Sequence, residues 1–255
     1  MALIRRLLLS AAVLACACFA PAAVAFDSNA SGSTGGSSSM SWNHTCTGHN
    51  LVLVVGIGTN QSADVITGVT YDGVPLRKIG TAAFNGSRSV VQYALVGPAV
   101  GTHSIVVMAS TSVAMGGVSQ SFTGSNGVLN NQVSSTNSPN CFGIVASATG
   151  NMVCDVVNTN GISAFDDTNN MFVGVSGIGY IAAGSIAGSP SQYCGYSGVG
   201  GGPVLLAVNI VAGGQSKASG LATMGVGRKF VTGRGGGCLW PVTFQQRPPC
   251  KSEEV

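Results

Sequence analysis

The chain has 255 residues, a formal net charge of +3 and charged side chains at only 7% of positions, where an ordinary soluble domain carries about 25%. Its surface must therefore be built of Ser, Thr, Asn, Gln and Gly. This charge balance argues against a nucleic-acid or acidic-membrane partner, which would need a clustered basic face; the one basic cluster, Arg228, Lys229 and Arg234 followed by Arg247 and Lys251, reads as a solubilising feature.

Arg5 and Arg6 open the chain as a positive n-region, residues 7–19 are apolar, and Ala23-Val24-Ala25 has the small-residue pattern of a cleavage site. Residues 1–25 are thus predicted to be a signal peptide, and the mature chain to be secreted or periplasmic. Ser10 and Pro21 interrupt the apolar run, leaving it shorter than the roughly 20 residues a membrane span requires. An alternative is lipoprotein processing at Val13-Leu14-Ala15-Cys16, which would anchor the protein through Cys16. Removing 25 residues from 255 leaves 230, with a net charge of +1 once Arg5 and Arg6 are gone.

Residues 26–39, FDSNASGSTGGSSS, read as a Gly/Ser-rich flexible leader. In 41–46 the side chains of Trp42, His44 and Cys46 share one face, the period-two alternation of a half-buried strand. Residues 51–55 have no polar face and read as a central strand covered on both sides. A strand over 63–70, a type I′ turn at Asp72-Gly73 and a return strand over 74–79 form a hairpin. Strands are expected over 89–95, 103–108 and 117–122, and 125–140 reads as a long polar surface loop. Residues 141–148 and 151–157 are predicted to form a hairpin about Thr149-Gly150, with further strands over 171–175, 180–183, 204–211, 221–226 and 238–244. No stretch combines a helical period with caps. The expectation is an all-β chain: one antiparallel two-sheet β-sandwich over 40–244, followed by a tail over 245–255.

Six cysteines survive removal of the leader: Cys46, Cys141, Cys154, Cys194, Cys238 and Cys250. An even number in an exported chain predicts disulfides, in a pairing the sequence leaves open. With Thr149-Gly150 as the turn, Cys141 and Cys154 are not cross-strand neighbours, so a direct bridge between them is disfavoured.

The order SWNHTCTG, LVLVVGI, VTGVTYDGVPLRKIG, VVQYALVGPAVGTHSIVV, GGVSQSFTG and VASATGNMVCDVV resembles a group of uncharacterised secreted and phage-associated β-sandwich domains. The likeness covers residues 41–157 and thins beyond them. It implies a jelly-roll-like sandwich in an extracellular or particle-surface setting and carries no catalytic residues with it.

Chemistry-bearing constellations are sparse. Gly177 to Ala182 fits the G-x-G-x-x-A dinucleotide loop but opens no helix. His44, Cys46 and His49 are metal-ligand types, yet only three cluster, and His44 reads as a strand residue with a hydrogen-bonded ring. Asp166 to Asn170 reads as an Asx-rich turn without a calcium-loop pattern. His103 and Asp155 would complete a triad with a serine only if the fold joined them. No G-x-S-x-G, no H-E-x-x-H and no evident glycosidase carboxylate pair occurs. Tyr180, Tyr193, Tyr196 and Trp240 are candidates for an aromatic platform, and Tyr193 and Tyr196, flanking Cys194 in a Gly/Ser-rich stretch, are the ligand-facing pair. The expected function is a secreted, non-catalytic binding or structural module without cofactor or metal, associating with itself or with an extracellular surface or polysaccharide. A secreted hydrolase acting on polysaccharide or peptide and a disulfide-stapled effector or inhibitor are the alternatives.

Overall fold

The computed structural model describes residues 22–129, 132–165 and 167–213. The expected leader up to residue 21, the strands over 221–226 and 238–244, the tail, Cys238, Cys250 and Trp240 lie outside them. The described residues contain no helix.

Sixteen strands follow one another: β1 Ala25–Cys46, β2 Val52–Thr59, β3 Ile66–Tyr71, β4 Val74–Pro75, β5 Arg77–Asn85, β6 Arg88–Val96, β7 Gly101–Thr123 and β8 Ser125–Val128. Then come β9 Val133–Ser135, β10 Cys141–Val145, β11 Met152–Thr159, β12 Ala164–Phe165, β13 Thr168–Val175, β14 Gly179–Ala187, β15 Gln192–Ser197 and β16 Val204–Ala212. The first sheet runs β4-β3-β7-β2-β6-β5, with β1 on the other side of β7; the second runs β13-β14-β11-β16-β8, with β9 also on β16. Every strand pairing among the described residues is antiparallel.

The expected sandwich is present. Val54, Phe122, Cys154 and Val208 pack together between the first two sheets, as do Val118, Val156, Ile181 and Leu206. The first sheet also curls toward a barrel: Val69 and Tyr71 of β3 meet Val91 and Tyr93 of β6 in a separate core, and Tyr93 Oη donates to Ile66 O at 3.4 Å. A third sheet, β10-β15-β12, covers the outer face of the second, with Cys141, Cys194 and Tyr196 against Val153, Val157 and Leu205. That cover explains why every residue of β11 is buried, Asp155 among them.

Several local expectations hold. Met40, Trp42, His44 and Cys46 are buried while the residues between them are exposed. Strand β2 is buried throughout and pairs with β6 on one side and β7 on the other. Asp72 and Gly73 take φ values of 50° and 76°, both in the left-handed region a type I′ turn requires.

Residues 26–39 correct the flexible-leader expectation: they belong to β1 and pair with β7 from Ala25↔Thr123 onward. Their composition offers little to bury, which is why it reads as a linker. Order comes instead from the main-chain ladder and from a close fit, because a Cβ on Gly32 would sit 2.9 Å from Trp42 and one on Gly117 2.4 Å from the Trp42 ring. The two strands expected over 103–108 and 117–122 are one continuous β7. The loop expected over 125–140 contains β8 and β9. The 141–157 hairpin does not form: β10 pairs with β15, and β11 lies between β14 and β16.

The four described cysteines correct the disulfide expectation, since Cys46, Cys141, Cys154 and Cys194 are all buried free thiols. Cys46 lies in the curled core, Cys154 between the first two sheets, and Cys141 and Cys194 between the second and third. Cys141 faces Tyr196 and Cys194 faces Gly143, so the two thiols are diagonal neighbours. That relation places Cβ atoms about 7 Å apart, where a disulfide needs about 4 Å.

Candidate functional site

Strands β13 and β14 form a hairpin whose register sets Gly174 opposite Tyr180 and Phe172 opposite Ala182. Phe172 and Tyr180 are thus diagonal on one face. Met171 and Val173 turn inward to the core, leaving Phe172 57% and Tyr180 39% exposed. Their rings meet edge to face, with centroids 6.0 Å apart at 71°. Gly174 lies between them on the same strand face, where even a Cβ would only touch the Tyr180 ring at 4.0 Å.

The loop after β11 provides the opposite wall. Asn160, Gly161 and Ile162 line, with Phe172 and Tyr180, an open groove of about 490 Å³, within the size range of small-molecule sites. Asn160 is pinned from behind, since its N–H donates to Gly200 O at 3.2 Å and its Oδ1 accepts from Arg88 Nη2. Arg88 also donates to Asn158 Oδ1 at 2.7 Å and to Gly201 O at 3.1 Å. Gly179 adopts φ 113°, and a Cβ there would lie 2.5 Å from Thr159 O. The groove is therefore preformed, with aromatic rings on one wall and the Asn160 amide on the other, and no charged side chain lines it among the described residues.

Two polar centres lie inside the protein. Around His44, 1% exposed, Ser121 donates to Asp27 Oδ2 at 2.7 Å, so at 3.0 Å its oxygen accepts from His44 Nε2. His44 Nδ1 lies 2.9 Å from Ser119 Oγ, whose single proton is shared between that nitrogen and Ala30 O at 3.1 Å, and Trp42 Nε1 donates to Ser119 at 3.0 Å. Burial pushes the His44 pKa down to about 4, with Asp27 opposing the shift. Burial thus keeps the imidazole neutral at pH 7.

The second centre sits beneath the third sheet. Asp155 Oδ1 accepts from Tyr196 Oη at 2.6 Å and from Gly184 N at 3.0 Å, while Asp167 Oδ2 accepts from Gly195 N at 3.3 Å. Burial first, then the neighbouring charge of Asp167 and a hydrogen bond to it, hold the Asp155 carboxyl well above its usual range. Two carboxyl groups in contact require that one keep its proton.

These placements sort the sequence candidates. Tyr193 is 63% exposed, but Tyr196 is fully buried and committed to Asp155, which removes it from the ligand-facing pair. Tyr193 instead stands opposite Ile144 on the outer face of the third sheet. His103 meets Asp72, Nδ1 to Oδ1 at 3.2 Å, and Asp155 is bonded elsewhere, so the two are not joined in a triad. His44 and Cys46 are buried and His49 is exposed. Gly177 and Gly179 flank the β13–β14 turn rather than opening a helix. Phe172, Asn160 and Ile162 escaped sequence reasoning; the available signal was an aromatic on the polar phase of 171–175, two positions out of register with Tyr180 across a glycine turn.

No family model, no curated protein and no solved structure matches the chain. The fold and the groove thus define it directly, as an all-β sandwich with an aromatic surface groove.

Proposed function

We propose that this is an exported, non-catalytic binding module that holds a neutral saccharide in the groove between Phe172, Tyr180 and the Asn160 loop. The carrying observation is the exposed edge-to-face pair Phe172–Tyr180 beside the pinned Asn160 amide. Exposed aromatic rings present flat apolar surface to the C–H faces of a sugar, and amide and main-chain groups serve its hydroxyls. The described lining carries no charge, which favours a neutral ligand over a uronic or sialic acid. Binding is favoured over hydrolysis because the groove lining includes no carboxylate among the described residues and Asp155 and Asp167 are buried. Export rests on the leader predicted over residues 1–25.

Titration calorimetry of the purified protein against neutral and acidic oligosaccharides tests this reading. A neutral glycan should bind, and Phe172→Ala and Tyr180→Ala should each weaken it at least tenfold without moving the melting temperature. Absence of binding to all of them, or binding untouched by both substitutions, would remove the proposal.

A second reading concerns self-association. Ile144 and Tyr193 are directly opposed and, at 50% and 63% exposure, form an apolar patch with Phe142 on the outer face of the third sheet. An exposed patch of this kind on a chain so poor in charge suits contact with a second copy.

A further inference from the structure

We propose that Cys154 and Gln120 close an internal thioester that ties β7 of the first sheet to β11 of the second. The inference is independent of the saccharide groove. Cys154 Sγ lies 3.0 Å from Gln120 Oε1, well inside the 3.5 Å and 3.7 Å at which the thiols of Cys141 and Cys194 meet their carbonyl partners. The electrophilic Cδ is one bond beyond that oxygen. The amide is also held in one orientation, because Gln120 Nε2 donates to Asn169 O at 3.0 Å. Asn169 itself takes φ 52°, a left-handed conformation that an L-residue adopts at a cost. The nitrogen is thereby directed to a fixed acceptor and the carbonyl to the sulfur.

Register and burial make the contact persistent. Gln120 projects from β7 toward the second sheet in phase with Val118 and Phe122, and Cys154 projects back in phase with Val156. Gln120 is 1% and Cys154 2% exposed. Held reactants reach effective molarities on the order of 10⁵ M or more once the attacking and electrophilic atoms are aligned, and exclusion of water protects the product from hydrolysis.

The reaction balances without a co-reactant. The S–H bond breaks and an S–Cδ bond forms; the Cδ–Nε2 bond breaks, and the amide nitrogen takes the thiol proton and leaves as ammonia. No atom is oxidised or reduced. The thiol acts in its neutral form, since burial disfavours the thiolate, so closure follows folding slowly. The product is a covalent tie between two sheets, at a place where the fold holds no disulfide.

Mass spectrometry of the full chain decides it. Trypsin releases residues 89–217 as one fragment, because no Lys or Arg lies between Arg88 and Lys217, and that fragment holds Cys141, Cys154 and Cys194. After unfolding, phosphine reduction and alkylation, it should be lighter than its sequence by one ammonia and carry two alkyl groups. Hydroxylamine should release the third thiol and leave a hydroxamate on Gln120. The Cys154→Ala fragment should keep its ammonia. A wild-type fragment with three alkylated cysteines overturns the proposal, whether at full sequence mass or lighter by an ammonia lost at an Asn-Gly succinimide.

Discussion

His44 and Asp155 are buried titratable groups whose shifts run in opposite directions, so each shapes a different side of the stability profile. The folded pKa of His44 is about 4, below the ordinary imidazole value of 6.5. Its contribution is therefore complete above pH 6.5 and is lost as pH falls toward 4, amounting to roughly 3 kcal/mol across that window. His44→Gln should flatten the acid-side loss between pH 6.5 and 4 in urea titrations, while lowering stability at pH 7 by about 1–3 kcal/mol through the broken hydrogen-bond chain. Asp155 is raised, so its contribution is complete below the ordinary carboxyl range and is lost as pH rises through its folded value. Asp155→Asn keeps an oxygen for Tyr196 and Gly184 and should flatten the alkaline-side fall. Unchanged pH slopes in either variant would show that the group does not titrate with folding.

Strand β1 shows how much an element can hide from composition. Its second half was legible, because Trp42, His44 and Cys46 alternate with polar residues. Its first half was not, because Gly and Ser tell only that little is buried, and the Trp42 ring that needs Gly32 and Gly117 comes ten residues later in one case and seventy-five earlier in the other. Gly32→Ala should cost about 1–3 kcal/mol through overpacking. Gly36→Ala, which would meet nothing within 4 Å, should be neutral or slightly stabilising; equal urea midpoints for the two variants would contradict this account. Strand partners hid likewise. Thr149-Gly150 is turn chemistry, but β10 pairs with β15, some fifty residues on, and local residues carry no record of so distant a partner. The groove shared that fate: Tyr180 was visible as an aromatic, whereas only the hairpin register reveals Phe172 beside it, and only the Arg88–Asn160 contact reveals the facing wall.

At the scale of the whole molecule, low charge leaves little mutual repulsion between copies, and the Phe142, Ile144 and Tyr193 face offers them a contact. Light scattering should find association that persists in high salt, because no ion pairs are there to be screened. Ile144→Thr combined with Tyr193→Ser should return the protein to monomer; a wild-type monomer at high concentration would leave this face without a role. The pairing of β1 with β7 reaches further still. The partner residues, Ala25 with Thr123 and Cys46 with Gly101, are separated by long stretches of chain, and ladders of this kind close slowly because loop entropy is lost before contacts form. Until residue 123 has been synthesised, the first half of β1 has nowhere to dock. Its Gly/Ser composition then acquires a kinetic meaning: a segment that must wait is safest when it is soluble, weakly β-forming alone and poor in apolar side chains that would recruit a neighbour.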